Sequence, residues 1–489
     1  MPAYSHFSLS FRLAKELADR GHQVTVINPY PQKTPIKNYR DISVEEHVEY
    51  IEELKKNLFG MNNMGFVANI NFLLTMCSDL TERTLINKNV QQLLNSGETF
   101  DLVITAHFLN EAHFGLAHHF KAPLVVLSPG AANSFTNHFV ANPSPSSYVP
   151  NVMAGFTNHM SFWQRTTNLI ANAVFDGTRE AIMMPIQRKI FKKYIKSDVE
   201  LDDVLFNVSL ILTNSHVSVQ DAIPHVPNMI EIGGFHVKPP KKLPDDLQKF
   251  LDESKEGVIL FSMGSNLKSK DLKQDVRDGI LKAFSKIKQK VLWKFETELE
   301  GAPKNVKIMK WLPQQDILAH QNVVAFISHG GLLSTIEAVY HGVPIIGIPV
   351  FGDQESNIAA AASKGYAVPV PLKELSEEKL SWALNEILNN PKYRENIKQR
   401  SKLMQDQPLK PIDSAIYWIE HVIRHKGAPH LKSAGLDLKW YQREMIDIFL
   451  FLTLVTVVLF VIFYLIIKKI LGLCCGKKPV KVSKTKKNK

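Results

Sequence analysis

Cysteine is scarce in this chain, with three in 489 residues. Cys77 stands alone in the body while Cys474 and Cys475 sit side by side near the end, so no disulfide framework can form within the body. Acidic residues are absent beyond Ile467, where nine lysines occur. The formal net charge of +11 belongs largely to that tail, because 58 basic residues less those 9 leaves 49 against 47 acidic ones. A body so nearly balanced offers no basic face to a phosphate backbone, and nucleic acid is not an expected partner. Residues 1–20 hold no continuous apolar stretch of signal-peptide length. Histidines crowd between His107 and His138, but His107, His113, His118, His119 and His138 include no i, i+4 pair, so no zinc site is expected there.

One apolar run is long. Residues 448–467 are twenty in a row without a charge, about the length a helix needs to cross a hydrocarbon layer of ~30 Å. Trp440 and Tyr441 suit an interfacial anchor, and Lys468, Lys469 and the lysine tail mark the C-terminal side as cytoplasmic, leaving the body lumenal. The final Lys486-Lys487-Asn488-Lys489 resembles the di-lysine signal that returns membrane proteins to the endoplasmic reticulum; the same lysines also suit anionic lipid. Cys474 and Cys475 are juxtamembrane, either palmitoylated or left unmodified.

Ahead of the span, apolar β-branched runs at 24–27, 102–106, 124–127 and 208–213 alternate with helical patterns. Phe7, Phe11, Leu13, Ala14 and Leu17 give the first helix, ending at Gly21 after a short loop. Pro239, Pro240 and Pro244 among lysines form a stiff linker, and a second alternation follows with strands at 258–261, 291–295, 306–309, 323–328 and 344–349. Two doubly wound α/β domains are expected. Asn207-Val208-Ser209 is a glycosylation sequon that opens an apolar strand, so burial is expected there rather than modification.

Residues 311–354 carry the most chemistry. The strand at 323–328 stops at His329-Gly330-Gly331 before a helical pattern from Leu332 to Tyr340. Two glycines at a strand-to-helix turn expose backbone N–H groups at the positive end of a helix, which suits a diphosphate, with His329 as a side-chain donor. Glu337, further along that helix, can accept both hydroxyls of a ribose diol, and Trp311 offers a face for a flat base. Asp353 and Gln354 follow the next strand, at the carboxyl edge where ligands of open α/β sheets gather.

This segment resembles the signature of the UDP-glycosyltransferase family, in its animal, membrane-bound UDP-glucuronosyltransferase branch, through Trp311, Gln314, His329, Gly330, Gly331, Ser334, Glu337, Pro344, Pro349, Asp353 and Gln354. The resemblance implies a GT-B fold, two Rossmann-like domains facing a cleft, with a C-terminal transmembrane helix. The boundaries expected are 1–236 for the acceptor domain, 237–425 for the UDP-sugar domain, 426–447 juxtamembrane, 448–467 spanning and 468–489 cytoplasmic. It implies that Trp311 and Gln314 hold uracil, His329 and the glycine turn the diphosphate, Glu337 the ribose, and Asp353 and Gln354 the sugar, with Ser265 a further nucleotide contact. His6 matches the base that deprotonates the acceptor hydroxyl, a role suited to imidazole near neutral pH beside a helix N-terminus. Ala106 stands where the family places that base's acidic partner, which leaves Glu111 as the nearby carboxylate to orient it, or simply as a helix-opening acid.

No Asp-x-Asp pair occurs, so the metal clamp of the other large glycosyltransferase fold is absent; no metal or cofactor is expected beyond the co-substrate, UDP-glucuronic acid or UDP-glucose. Phe156, Met160, Phe162, Trp163, Phe175, Met183, Met184 and Phe191 suggest soft walls for a lipophilic acceptor, or plain helical core. In the family a cleaved signal and a central strand precede the segment matching Pro2 to His6. The expectation is therefore a truncated gene model or fragment lacking roughly thirty residues, one strand plus a signal segment; a genuine short isoform is the alternative. The implied function is inverting transfer of glucuronic acid or glucose to hydroxyls of small lipophilic compounds, a detoxification chemistry, at the endoplasmic-reticulum membrane, with lipid and homo- or hetero-oligomers as further partners. The alternative is a catalytically impaired UDP-sugar-binding membrane protein or dimer partner.

Overall fold

The computed structural model describes residues 4–55, 65–195 and 197–476. These fall into two units, residues 1–433 and 434–489. The first unit contains both strand-rich halves. Its strands are β1 (Val24–Asn28), β2 (Tyr39–Ser43), β3 (Val103–Ala106), β4 (Leu124–Ser128), β5 (Val208–Thr213) and β6 (Met229–Glu231), then β7 (Val258–Ser262), β8 (Lys290–Lys294), β9 (Val306–Met309), β10 (Val323–Ser328), β11 (Ile345–Gly347) and β12 (Ala367–Pro369). Every pairing among them is parallel.

The first half forms a four-stranded sheet in the order β3-β4-β5-β6 and a separate pair, β1-β2. All residues of β4 and β5 are buried because both faces of that sheet are covered. Alternate side chains divide between the faces, as a strand's period of two requires. Val125, Leu127, Leu210 and Leu212 pack with Leu9, Leu13 and Leu17 of the Tyr4–Asp19 helix. Leu124, Val126 and Ile211 pack with the Phe66–Ile86 and Met184–Ile195 helices.

The helix Pro411–Arg424 follows the second half in sequence yet returns to the first sheet, where Ile412, Ile416 and Ile419 join the Leu9 face. The first helix already begins at Tyr4, so Ser5 and His6 lie in its opening turn and not in a loop ahead of it. Asn207 is exposed just before β5, its side-chain oxygen accepting a 2.7 Å hydrogen bond from Lys432; the burial expected of this sequon does not hold.

The second half is a six-stranded sheet ordered β12-β11-β10-β7-β8-β9. The chain builds outward from β7 to β9, then returns to the other side of β7 to lay down β10 to β12. Between β7 and β10 the connections diverge to opposite sides, which opens a crevice at their carboxyl ends, the usual ligand position in such sheets. Val258 and Leu260 point into one hydrophobic layer and Ile259 and Phe261 into the other, fixing β7 at the centre.

In the second unit the helix Ile446–Cys475 is long and apolar enough to cross a membrane, and no residue from Ile446 to Cys474 is buried. Lys486-Lys487-Asn488-Lys489 and the rest of the tail beyond Gly476 lie outside the described residues.

Candidate active site

The two central strands of the six-stranded sheet end in matching turns. Ser262 at the end of β7 accepts a hydrogen bond from the Gly264 N–H, and Ser328 at the end of β10 accepts one from the Gly330 N–H, each 3.2 Å. Both glycines have positive φ, +80° and +82°, a conformation costly for a residue with a Cβ. The ring of His329 lies across the gap. A Cβ on Gly264 would fall 2.5 Å from its Cε1, and one on Gly331 2.5 Å from its Nε2. Glycine is therefore needed on both sides of the imidazole.

Burial, with the Lys294 ammonium nearby, pushes His329 down to about 4, so the ring is neutral at pH 7. Its Nδ1 has no hydrogen-bond partner. The Leu332–His341 helix starts directly after this turn, and its first-turn N–H groups have no carbonyls of their own to bond. Neutral imidazole, glycine backbone and helix N-terminus together make a site for an anion.

Deeper along the same helix, Glu337 is only 7% exposed, so it is no solvated face. Gln314 donates to its Oε2 at 2.6 Å and Gln315 to its Oε1 at 2.9 Å, while Gln314 also reaches the Ser334 hydroxyl at 3.1 Å. Burial raises Glu337 to about 7, with both glutamine amides pulling the other way. Trp311 is 69% exposed and belongs to no core, leaving its indole face free for a planar group.

The helix Gln354–Ser363 closes another side. Asp353 precedes it, and burial raises its carboxyl above the ordinary value. Asn357 donates both to Asp353 at 2.8 Å and to the Gly330 carbonyl at 3.0 Å, tying the start of this helix to the glycine turn. The Gln354 oxygen accepts from the N–H groups of Val350 and Phe351. Ser265 is exposed on the turn after β7. Gln314, Ser334 and Glu337 thus form one hydrogen-bonded group, and His329, Gly330, Gly331, Asp353 and Gln354 lie together at the turn after β10; Ser265 and Trp311 make no hydrogen bond to either group among the described residues.

In the first half, His6 presents its ring edge-on to Phe108, with centroids 5.0 Å apart. It is half-buried, and burial pushes it down to about 3, leaving a neutral base at pH 7. Glu111 does not serve it. That carboxylate is fully buried and accepts from Arg179 at 3.0 and 3.3 Å, with His107 at 3.7 Å. Burial alone would raise Glu111, but the Arg179 guanidinium holds it down at about 2. Arg179 also meets His138 at 2.7 Å. Among the described residues no carboxylate hydrogen-bonds to His6; of the two readings of Glu111, the structure shows the acid that opens a helix, Glu111–Phe114, and no contact with His6.

A family model described as UDP-glucoronosyl and UDP-glucosyl transferase matches residues 2–486. The chain belongs to the UDP-glycosyltransferase family. It is 38% identical over 480 residues to the UDP-glycosyltransferase UGT5 of Dactylopius coccus, covering 97% of this chain and 91% of that protein. It is 33% identical over 478 residues to the human UDP-glucuronosyltransferase 2B10, covering 92% and 88%. Among solved structures, the glycosyltransferase VinC in complex with DTDP superposes with a TM-score of 0.58 at 15% identity, covering 87% of this chain and 98% of that one. The glycotransferase of kitacinnamycin gives the same TM-score at 16% identity. These likenesses establish the GT-B fold, and the family establishes a UDP-glycosyltransferase enzyme.

Several groups of this UDP-glycosyltransferase site escape a sequence reading. Lys294, the last residue of β8, bonds to the Gly264 carbonyl at 2.9 Å and to Glu296 at 3.2 Å, placing an ammonium beside His329. Its position at a parallel strand's carboxyl end was the available signal. Asn357 is one helical turn beyond Asp353, a spacing that brings side chains together. Gln315 adjoins Gln314 in the helix Gln314–Leu318, and both side chains reach Glu337. Of the region expected to line an acceptor pocket, Phe175, Met183, Met184 and Phe191 are plain core, whereas Phe162 and Trp163 are exposed.

Proposed function

We propose that the protein transfers glucuronic acid or glucose from its UDP donor to the hydroxyl of a small lipophilic acceptor, with inversion at the anomeric carbon. What supports this reading above all is one arrangement: a buried carboxylate held by two glutamines, on the helix that opens at a neutral histidine and a glycine turn, at the switch point of a parallel sheet. Trp311 and Gln314 hold the uracil, Glu337 accepts the ribose hydroxyls, and His329, Gly330 and Gly331 receive the diphosphate. Asp353 and Gln354 contact the sugar.

In the reaction, His6 takes the proton of the acceptor hydroxyl. The oxygen attacks the anomeric carbon from the face opposite UDP, the bond to the diphosphate oxygen breaks, and UDP leaves with the electron pair. Its new charge meets the N-terminus of the Leu332–His341 helix and the His329 ring, so the scheme asks for no metal. The body works on the lumenal side of the endoplasmic-reticulum membrane, anchored by the Ile446–Cys475 helix.

The test is product mass spectrometry of the full chain with both UDP-sugars and a panel of phenols. A glycoside of one donor, lost in His6→Ala while UDP binding persists, is the expected result. Undiminished turnover in His6→Ala would remove His6 from the mechanism, and UDP binding unaffected by His329→Ala would remove the diphosphate assignment.

A further inference from the structure

Between β6 and β7 the chain passes from one half of the compact unit to the other through Gly233, Gly234, Phe235 and His236. This passage is closely held. A Cβ on Gly233 would stand 2.3 Å from the Ser215 carbonyl oxygen, Gly234 has φ of +90°, and Phe235 is 1% exposed. His236 therefore has little freedom to leave its place.

His236 is 6% exposed; the Leu333 backbone lies close to the ring, but neither nitrogen makes a hydrogen bond of normal distance and angle. The polar groups it faces are the backbone of Leu333 and the carboxylate of Glu337, whose Oε1 is 3.8 Å from Nε2. Buried polar atoms without partners are rare and costly, and they mark places where a ligand or a small movement completes the bonding. Here Nε2 stands 3.8 Å from the carboxylate assigned to the ribose. Gln315 joins the same group: its amide donates to Glu337 and approaches the His236 carbonyl at 3.5 Å, and its oxygen accepts the Lys238 N–H at 3.2 Å. The segment crossing between the halves is thus built around the carboxylate.

We propose that His236 is a positioning residue of the donor site, whose Nε2–H closes onto Glu337 Oε1 when nucleotide binds and fixes the carboxylate in the plane that accepts both ribose hydroxyls. The proposal rests on the reading of Glu337 as the ribose contact. Closing 3.8 Å to a hydrogen bond takes less than an ångström of movement. The consequence is selectivity for the 2′-hydroxyl, which depends on the carboxylate's orientation more than on its presence.

The experiment compares binding of UDP and 2′-deoxy-UDP to the full chain, His236→Gln and His236→Asn. A glutamine amide nitrogen reaches the place of Nε2, whereas an asparagine amide reaches that of Nδ1. The wild type is expected to prefer UDP on the order of tenfold, the worth of one hydrogen bond to a charged group. The glutamine variant should keep most of that preference and the asparagine variant should lose it. Equal preference in all three, or equal loss in both variants at unchanged thermal midpoint, overturns the role of His236 while leaving Glu337 in place. A wild type that binds UDP without regard to the 2′-hydroxyl overturns the ribose reading instead, and the proposal with it. Should the asparagine variant not fold, the ¹⁵N resonance of His236 Nε2 in the wild type decides: a shift to a hydrogen-bonded value with UDP supports the role, and an unmoved resonance overturns it.

Discussion

Gln314 donates a 2.6 Å hydrogen bond to Glu337 across 23 residues of sequence, and it does so inside a site where the carboxyl titrates near neutrality. The sign of the resulting pH dependence follows from the direction of the shift. A carboxyl whose folded value is raised to about 7 from an ordinary 4.5 favours folding fully below the lower value and loses that contribution as pH rises through the higher one. Replacing Glu337 by Gln removes the titration. The stability of Glu337→Gln relative to the wild type should therefore increase between pH 4 and pH 8 by about 2–3 kcal/mol, read from urea midpoints at several pH values. UDP affinity should fall in the same variant.

Lys294 places its ammonium at the mouth of the anion site, bonded to the Gly264 carbonyl. Lys294→Gln should weaken UDP binding by about tenfold at low salt, with a smaller loss at high salt, because the contribution is partly exposed charge. Isothermal titration at two ionic strengths checks it. An affinity unchanged at low salt would show that Glu296 holds the lysine away from the ligand.

Gly264→Ala brings a methyl group within 2.5 Å of His329 at a φ of +80°. The strain alone should cost about 1–2 kcal/mol of stability, and displacement of the ring should lower UDP affinity by about tenfold, the loss of one good donor. Gly301→Ala separates the two effects, since Gly301 has φ of +74° and nothing within 4 Å of an added Cβ. It should show the strain in its thermal midpoint and no change in UDP binding.

Arg179→Met strips the buried Glu111 carboxylate of its counter-charge. Loss of one partner of a buried ion pair is expected to cost about 3–5 kcal/mol, measured as a denaturant midpoint. Glu111→Gln combined with Arg179→Met should recover much of that loss. Were Glu111 instead the orienting acid of His6, Glu111→Gln would reduce turnover without touching stability.

The turn around His329 and the helix that follows it were readable because their parts are close in sequence and each has a local cause. A β-branched run, a glycine pair and an amphipathic helix place His329, Gly331 and Glu337 without any knowledge of the other half. The partner of Glu111 was not readable: Arg179 is 68 residues away and sits on a different helix, so only the packed structure joins them. Strands divided in the same way. Val208–Thr213 and Val323–Ser328 match their apolar runs because both their faces are buried. Tyr39–Ser43, Met229–Glu231 and Ala367–Pro369 are edge strands too short or too polar to carry such a run, whereas the edge strands Val103–Ala106 and Val306–Met309 keep theirs.

The helix Pro411–Arg424 belongs to the far end of the folded body yet seals the Leu9 face of the first sheet. The order of synthesis and the order of packing therefore conflict. A ribosome finishing residue 405 has made every strand, but until residues 411–424 emerge the Leu9 face is covered only by the first helix. The packing of the first half is thus completed by a segment that follows the second half, an arrangement that couples the folding of the two.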